Sequence, residues 1–499
     1  MIQNPLLEGF YPDPSVCRTE NGYYLVTSTF AYTPGVPVFY SKDMVVWEQA
    51  GHVLEREQQL LLEGAGMSEG IYAPCIRYHQ GLFYMITTNV SGGGNFYVTA
   101  SRAEGPWSDP VYLKEASGID PSLYFEGEKC FYIGQRTKKD AAYFGDCEIW
   151  LQELDLKKKE LTGDIHVLWD GAMKNAYWPE GPHLYKKDDY YYLLIAEGGT
   201  QFDHSICIAR SKELCGPYQS CPMNPIFTHR HLGHSAQIQC TGHGELVETD
   251  KGQWYMVLLG TRPVDGVSPL GRETFLAKVE WENDWPVINP GKGMLQITKE
   301  EKKTIPPIEW KMPLDFRCIF FRYPEKGMYR ITEDKRIALK PLPFPFSGEK
   351  SPAYIGTRVT AMDFCMETTM EFSPRKSQEA GLVYLYDENN YMRCVLTRAD
   401  TVSQECVMRV IAVIKGKEKT VTFRNTCAGV HRLGLALHNL RLCFLADGEP
   451  LCGELDVSGL SSEKAGGFVG CTAGIYAASD SLSQDDGKEN TAIFSELTF

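Results

Sequence analysis

The 499-residue sequence lacks the segments that would carry a chain out of the cell or into a membrane. No stretch approaches the roughly 18 consecutive apolar residues that a membrane-spanning helix needs. The start of the chain, MIQNPLLEGFYPDPS, contains neither the basic nor the apolar region of a signal peptide. These absences predict a cytoplasmic protein with no membrane partner.

Cysteine, metal and nucleotide motifs are also missing. The 16 cysteines are scattered singly, and no C-x-x-C pair, zinc-ligand spacing, Walker motif or G-x-S-x-G occurs. In a chain of this size without an export signal, that pattern disfavours a disulfide framework. It predicts free thiols packed as small apolar side chains.

Positive charge is in deficit. The chain has 50 Lys and Arg against 64 Asp and Glu, a net charge of −14, which argues against a nucleic-acid partner. Aromatic residues make up 12% of the chain, and together with carboxylates they commonly bind neutral sugars. The length predicts two or three domains.

Long helical periodicity is scarce, and short β-rich runs introduced by turn residues take its place. The five clearest are GYYLVTSTF (22–30), GLFYMITTNV (81–90), KCFYIGQRT (129–137), DYYYLLIAEGG (189–199) and GQWYMVLLGTR (252–262). Aligned on a shared tyrosine, they are 60, 48, 60 and 63 residues apart. Repeats of this length, each with several strands, are typical of β-propellers, in which one repeat forms one blade. We therefore predict a five-bladed β-propeller in preference to a large sandwich.

Ionisable residues recur ten to twelve residues before these aligned tyrosines. The matched positions hold Asp13, Ala73, Asp120, Glu180 and His243. If these positions open the innermost strands, their side chains converge at one mouth of the axial channel. The alternative is that each caps a turn independently, as Asp13 between two prolines would on its own. That alternative does not explain why four of the five positions are ionisable.

Converging carboxylates predict acid–base chemistry. Neighbouring carboxyl groups raise each other's pKa, so one stays protonated while another is ionised. Cleavage of a glycosidic bond requires such a pair. Direct metal binding is the competing use, and it would need more clustered ligands.

Four segments resemble glycoside hydrolase family 43, in particular its β-xylosidase and α-L-arabinofuranosidase branch. They are residues 4–54, GIDPSLYF (118–125), WPEGPHLYKKDDYYYLLIAEGGT (178–200) and LGRETFLAKVEWENDWPVINPG (270–291). The resemblance covers nearly the full chain, and it implies a five-bladed propeller that hydrolyses with inversion of configuration. It also implies Asp13 as general base, Glu180 as general acid, and Asp120 as the carboxylate that orients the acid and tunes its pKa.

The resemblance further implies a sugar pocket. Arg272 would hydrogen-bond sugar hydroxyls, and Phe30 and Tyr72 would line the pocket beside Ala73. Where relatives commonly have Trp-Ala-Pro, this chain has Tyr72-Ala73-Pro74, which leaves the choice between xylose and arabinose open.

His243 has two alternative roles. The resemblance implies a histidine beneath the site that faces a calcium ion in the channel, whereas a neutral histidine that hydrogen-bonds a carboxylate is the other alternative. No cofactor is expected to be required for the reaction.

A second domain is expected after a charged, proline-bearing linker at 297–313. Residues 1–300 would form the propeller and 314–499 a β-sandwich, because alternating strands are separated by turns such as DENNY and ADGEP. This part resembles the concanavalin-like C-terminal domain of the same branch. The resemblance implies that GGFVG (466–470) lends Phe468 to the pocket; a buried strand phenylalanine is the alternative.

Three functions compete. The first is an exo-acting hydrolase that releases terminal β-D-xylose or α-L-arabinofuranose from short oligosaccharides. The second is a non-catalytic sugar-binding propeller, which would tolerate loss of one acid, and the third is a retaining fructan-type enzyme with a nucleophile close to the acid. All three acids are present, which disfavours the second function. The separation of the two working carboxyl groups distinguishes the third, since it is about 5–5.5 Å for retention and about 6.5–9.5 Å for inversion. We predict the first function, with a small oligosaccharide as partner. The sequence is compatible with a homo-oligomer and does not set the oligomeric state.

Overall fold

The structure is a computed structural model that describes residues 2–298, 305–399, 405–480 and 490–499. Regular structure in these ranges is almost entirely β-strand, as predicted. The helical segments are the 3-10 turns Glu57–Gln59 and Arg230–Leu232 and the short helix Ser462–Ala465. Within the described ranges, no helix combines the length and apolar character needed to cross a membrane.

The residues before position 290 form five four-stranded antiparallel sheets, numbered in chain order, in which consecutive strands are neighbours. Sheet 1 contains Ser15–Thr19, Gly22–Val26, Gly35–Ser41 and Glu48–Leu54. Sheet 2 contains Cys75–His79, Leu82–Asn89, Gly94–Ala100 and Val111–Tyr112. Sheet 3 contains Ile119–Glu126, Lys129–Thr137, Cys147–Asp155 and Glu160–Trp169. Sheet 4 contains Glu180–Lys187, Tyr190–Glu197, Ser205–Ser211 and Gln219–Ser220, and sheet 5 contains Gln239–Glu248, Trp254–Thr261, Glu273–Glu282 and Trp285–Ile288.

These sheets are arranged in a closed circuit. The first strand of each sheet contacts the first strand of the next, and the first strand of sheet 5 contacts that of sheet 1. The aligned tyrosines all lie on the second strand of their sheets; they are Tyr24, Tyr84, Tyr132, Tyr192 and Tyr255. The predicted sequence repeat is therefore a structural repeat of one four-stranded sheet.

In four of the five sheets the backbone bends just before the first strand settles into regular pairing with the second strand. Asp13, Asp120 and His243 have φ values of 54°, 53° and 42°, in the left-handed region that non-glycine residues rarely adopt. Each lies two residues before regular pairing with the second strand is established. In sheet 4 the residue at this position is Gly181, with φ of 57°, and Glu180 precedes it. The prediction that Glu180 occupies the position matched to Asp13 and Asp120 is therefore wrong by one residue, because Gly-Pro takes the place of Asp-Pro.

A buried ion pair joins the first strands of all five sheets. Arg77 of sheet 2 pairs with Glu245 of sheet 5 at 2.5 Å, and its Nε donates to the Leu123 carbonyl of sheet 3 at 3.0 Å. His183 of sheet 4 lies 3.1 Å from the same guanidinium, and Glu245 accepts a hydrogen bond from the backbone N–H of Val16 in sheet 1 at 2.9 Å. Removing either partner would leave an uncompensated buried charge, so this pair fixes the first strands relative to one another.

The residues after position 320 form two larger antiparallel sheets, which agrees with the predicted sandwich. The eight-stranded sheet contains Tyr329–Ile331, Ile337–Leu339, Asp363–Phe372, Gly429–His438, Arg441–Ala446, Glu449–Pro450, Leu455–Asp456 and Ala492–Phe494. The six-stranded sheet contains Ala353–Arg358, Gln378–Asp387, Asn390–Arg398, Cys406–Ile414, Lys417–Thr426 and Thr472–Ser479. Residues of Asp363–Phe372 (DFCMETTMEF) alternate between buried and more exposed, as expected for a strand with one face on a core.

The two parts of the chain share a sheet and a core. Phe320–Phe321 pairs with Tyr32–Thr33 in a two-stranded sheet. Arg358 Nε donates to the Phe10 carbonyl at 2.8 Å, and one apolar cluster contains buried residues of both parts. The linker predicted at 297–313 lies partly outside the described residues, so the domain limits stay predictions.

Candidate active site

All nine residues predicted from the sequence as catalytic, substrate-binding or metal-facing line one pocket. They are Asp13, Phe30, Tyr72, Ala73, Asp120, Glu180, His243, Arg272 and Phe468. The four ionisable residues of the repeat, which lie up to 230 residues apart in sequence, therefore converge as predicted.

Asp13 is surrounded by groups that favour its ionised form. Its Oδ1 accepts a hydrogen bond from Arg272 Nη1 at 2.8 Å, and its Oδ2 accepts one from the Ser28 hydroxyl. His243 Nδ1 lies 3.9 Å from Asp13 Oδ1. Burial acts to raise the pKa of this carboxyl, but Arg272, His243 and Ser28 outweigh it and hold the pKa below its ordinary value. Asp13 is therefore ionised at neutral pH.

Glu180 and Asp120 are pushed in the opposite direction. Burial raises the pKa of the Glu180 carboxyl well above its ordinary value, and the charges of Asp120 and Asp13 raise it further. Burial also raises the pKa of Asp120 to about 6, with the charge of Asp13 adding to the effect and His243 and Arg272 opposing it. The pocket therefore separates the pKa values of two carboxyl groups, because it favours the protonated form of Glu180 and the ionised form of Asp13.

Asp120 lies close to Glu180 and to the backbone that follows it. The backbone N–H of Gly181, the next residue after Glu180, acts to lower the pKa of the Asp120 carboxyl. The charge of Asp120 in turn raises the pKa of the Glu180 carboxyl. The arrangement can donate a proton at Glu180 and accept one at Asp13, with opposite starting protonation states.

Three aromatic rings form one side of the pocket. Phe30 and Phe468 are stacked, with ring centroids 6.1 Å apart, and Tyr72 meets them edge-on at 5.2 and 6.2 Å. The Arg272 guanidinium lies 5.7 Å from the Phe30 ring centroid and 5.8 Å from that of Phe468. Such a wall can pack against the apolar face of a sugar while the polar groups bind its hydroxyls.

Phe468 reaches this wall because the two parts of the chain approach very closely. A Cβ atom on Gly271 would lie 2.8 Å from the Cα of Gly470, so this approach requires glycine. The backbone N–H of Phe468 donates to the Ser68 hydroxyl at 2.9 Å. Phe468 is 37% exposed and lies outside the strands, so the alternative of a buried strand phenylalanine is wrong.

The surroundings of His243 do not fit a calcium ion held directly by side chains. Calcium takes about six to eight oxygen ligands, and the carboxylate near His243 already accepts hydrogen bonds from Arg272 and Ser28. In the part of the chain that the structure describes, no three His, Cys, Asp or Glu side chains are grouped to hold a metal. The calcium ion stays a prediction, and no step proposed below uses it.

Three residues that line the pocket were not predicted: Ile119, Thr200 and His204. The Thr200 hydroxyl accepts a hydrogen bond from Arg272 Nη1 at 3.2 Å, and the His204 side chain is buried. Both occur in GGTQFDHS (198–205), which contains a turn signal but no spacing that distinguishes a site from a loop. For Ile119, the sequence contains no signal that distinguishes a pocket residue from an ordinary strand residue.

Two family models match the chain. Residues 2–286 match the model described as Glycosyl hydrolases family 43. Residues 311–499 match the model described as Beta xylosidase C-terminal Concanavalin A-like domain. The second match agrees with the predicted sandwich.

Individual relatives are similar over nearly the full length. A protein named xylosidase/arabinosidase from Butyrivibrio fibrisolvens is 44% identical, with 97% of each chain covered. A non-reducing end alpha-L-arabinofuranosidase of Bacteroides ovatus is 34% identical over 96% of this chain and 91% of that protein. The crystal structure of xylan beta-1,4-xylosidase from Bacillus halodurans superposes with a TM-score of 0.90 at 30% identity, covering 100% of this chain and 99% of that one. The chain therefore belongs to glycosyl hydrolases family 43 and is a glycoside hydrolase with a C-terminal concanavalin-like domain.

Proposed function

We propose that the protein is an exo-acting, inverting glycosidase that releases terminal β-D-xylose and α-L-arabinofuranose from short oligosaccharides. The observation that carries the catalytic assignment is that two carboxyl groups in one pocket lie in opposed environments. Hydrogen bonds from Arg272 and Ser28 favour the ionised form of Asp13, whereas burial and two neighbouring carboxylates favour the protonated form of Glu180. Environments that separate two pKa values in this way assign the base and the acid.

In the proposed reaction, Asp13 takes a proton from a water molecule while the water oxygen attacks the anomeric carbon. Glu180 gives its proton to the glycosidic oxygen as the bond between that oxygen and the anomeric carbon breaks. Asp120 keeps Glu180 protonated and orients it. The left-handed backbone at Asp13, between two prolines, fixes the carboxylate so that the water is already positioned.

The proposed sugars follow from the relatives and from the shape of the pocket. The names of the relatives include both xylosidase and arabinofuranosidase activities. Phe468 closes the pocket from the second domain, which suits a single terminal sugar better than a long chain. The test is to assay 4-nitrophenyl β-D-xyloside beside the corresponding α-L-arabinofuranoside. We expect hydrolysis of both, and a folded protein that hydrolyses neither would contradict the proposal.

We further propose that the five four-stranded sheets are the blades of a five-bladed β-propeller formed by residues 1–300, completed by the sandwich of residues 314–499. The closed circuit of first strands supports the propeller, and the contact of Phe468 with the pocket supports the completing role of the sandwich. The family membership and the presence of all three acids in one pocket argue against the non-catalytic sugar-binding alternative.

Asp120→Asn is expected to shift the basic limb of the pH profile of kcat/KM to lower pH. The negative charge of Asp120 helps to raise the pKa of Glu180, so its removal lowers that pKa and Glu180 loses its proton sooner as the pH rises. The measurement is kcat/KM across pH for the wild type and the variant, with Asp120→Glu as the control that keeps the charge. An unchanged basic limb with lower activity would leave Asp120 with an orienting role only.

Phe468→Ala is expected to lower kcat/KM by about 10- to 100-fold, the range that corresponds to losing the burial of one large apolar side chain. The ring stacks on Phe30 and forms part of the pocket wall, so the loss should appear mainly in KM. This variant is sharper than deletion of residues 314–499, because deletion would also expose the shared core. Phe423→Ala, which removes a 64%-exposed phenylalanine on the strand Lys417–Thr426 of the second domain, is the control. Full activity of Phe468→Ala would show that the sandwich does not complete the site.

A further inference from the structure

His204 is a buried histidine in the pocket to which the proposed reaction assigns no task. It is 1% exposed and immediately precedes the strand Ser205–Ser211. Its backbone N–H donates to the Gln201 carbonyl at 3.0 Å, and its own carbonyl accepts a hydrogen bond from the Thr228 hydroxyl at 2.8 Å. A Cβ atom on Gly242 would lie 2.3 Å from the imidazole, so the ring packs directly against that glycine. The ring is therefore fixed by the protein around it.

The hydrogen bonding of His204 determines its tautomer. Nδ1 lies 3.1 Å from the Cys240 carbonyl oxygen, which can only accept, so Nδ1 carries the proton. Burial lowers the pKa of His204 to about 3, so the ring is neutral at neutral pH. Nε2 therefore presents a lone pair and can only accept a hydrogen bond.

This lone pair has no partner in the described ranges of the chain. His204 Nε2 is buried and without a hydrogen bond there, and the ring lines the same pocket as Asp13 and Arg272. Arg272 Nε is likewise buried without a hydrogen bond among the described residues. Two residues that line the pocket thus each carry a buried polar atom, one acceptor and one donor, with no partner among the described residues, and such atoms are costly until a partner satisfies them.

We propose that His204 Nε2 accepts a hydrogen bond from one hydroxyl of the terminal sugar and is a specificity-determining residue of this pocket. The proposal rests on the proposed function. A sugar hydroxyl suits this site because it can donate to an imidazole lone pair while accepting from a neighbouring N–H. The charged groups close enough to change the pKa of His204 are His243, Arg272 and Asp13. The imidazole therefore lies on the side of the pocket that holds the proposed base, Asp13. A bound terminal sugar lies on that side, whereas the leaving sugar must lie beside Glu180.

The test uses two substitutions that differ in where a polar atom is placed. His204→Asn keeps a polar group near the position of Nδ1 and places nothing at Nε2, whereas His204→Gln can place its amide near Nε2. The substrates are 4-nitrophenyl β-D-xyloside and its 2-deoxy, 3-deoxy and 4-deoxy analogues. We expect His204→Asn to lower kcat/KM on the parent glycoside by about 10- to 100-fold, and His204→Gln to lower it less.

The deciding result is the comparison across the deoxy analogues. With the analogue that lacks the bound hydroxyl, the wild type and His204→Asn should agree within about twofold, because the interaction is already absent. An equal loss on all four substrates would overturn the proposal and favour a bond from His204 to the attacking water. No loss on the parent glycoside would overturn it as well.

A measurement on the wild type alone tests the proposal even if a His204 variant does not fold. Calorimetric binding of D-xylose and its three deoxy analogues to the wild type should show one deoxy sugar whose affinity falls about 10-fold or more. Similar affinities for all four sugars would contradict the proposal. Failure of the proposed function would look different, since the wild type would then hydrolyse neither parent glycoside.

Discussion

Asp13→Asn is expected to lower kcat by about 10²- to 10⁴-fold on every glycoside, whatever its leaving group. The reason is that an amide cannot take the proton of the attacking water. Substrate binding should change less, because the aromatic wall and Arg272 remain. Steady-state kinetics on a xylo-oligosaccharide, a 4-nitrophenyl glycoside and a 2,4-dinitrophenyl glycoside measure the effect.

Azide provides the internal control for Asp13→Asn. A small anion that needs no base can enter the space of the water, attack the anomeric carbon and give a glycosyl azide of opposite configuration to the substrate. Asp315→Asn is the matched variant, because it removes a carboxylate paired with Arg317 at 2.7 Å in the second domain, outside the pocket. It should retain full activity. A loss in Asp13→Asn that depends strongly on the leaving group, or a glycosyl azide of unchanged configuration, would contradict the assignment of Asp13 as base.

Glu180→Gln is expected to lower kcat on natural oligosaccharides by about 10²- to 10⁴-fold, because a leaving sugar alkoxide needs a proton. With 2,4-dinitrophenyl glycosides the leaving group is already stable as an anion, so the loss should be about 10-fold or less. The basic limb of the pH profile should also disappear, since the wild-type limb reports loss of the proton from Glu180. The same kinetic series and a pH profile measure both effects.

The leaving-group dependence separates catalysis from damage to the pocket. A substitution that merely distorts the pocket lowers activity on all substrates alike. Equal losses on the oligosaccharide and the dinitrophenyl glycoside would therefore contradict Glu180 as acid. Tyr72→Phe is the matched control, because it keeps the ring that meets Phe30. It removes only a hydroxyl whose pKa burial raises to about 12, so the lost group is not an acid near neutral pH. It should show no such dependence.

The strands and the convergence of the acids could be predicted because each sheet repeats one local pattern. A β-rich run follows a turn, and in two of the sheets an Asp-Pro pair opens the first strand, as at Asp13 and Asp120. The position of Glu180 was wrong by one residue because spacing in sequence does not show where a strand bends. The left-handed residue in sheet 4 is Gly181, and this becomes visible only from the backbone.

The remaining parts of the site depend on contacts between distant segments. Phe468 is placed by a hydrogen bond to Ser68, 400 residues away in sequence, and was predicted through the family resemblance alone. His204 and Ser28 belong to no repeated spacing, since their roles arise from burial and from the atoms that surround them. The propensity of a residue for strand, helix or turn does not indicate such contacts, so they could not be predicted from the sequence.

The configuration of the first-formed sugar tests the central claim most directly. The proton NMR spectrum of wild-type protein with 4-nitrophenyl β-D-xyloside should show α-xylose before mutarotation produces the β-anomer, because water attacks from the side opposite to the leaving group. If β-xylose appears first, the reaction retains configuration, and Asp13 must be a nucleophile that forms a bond to the sugar and not the base that activates water.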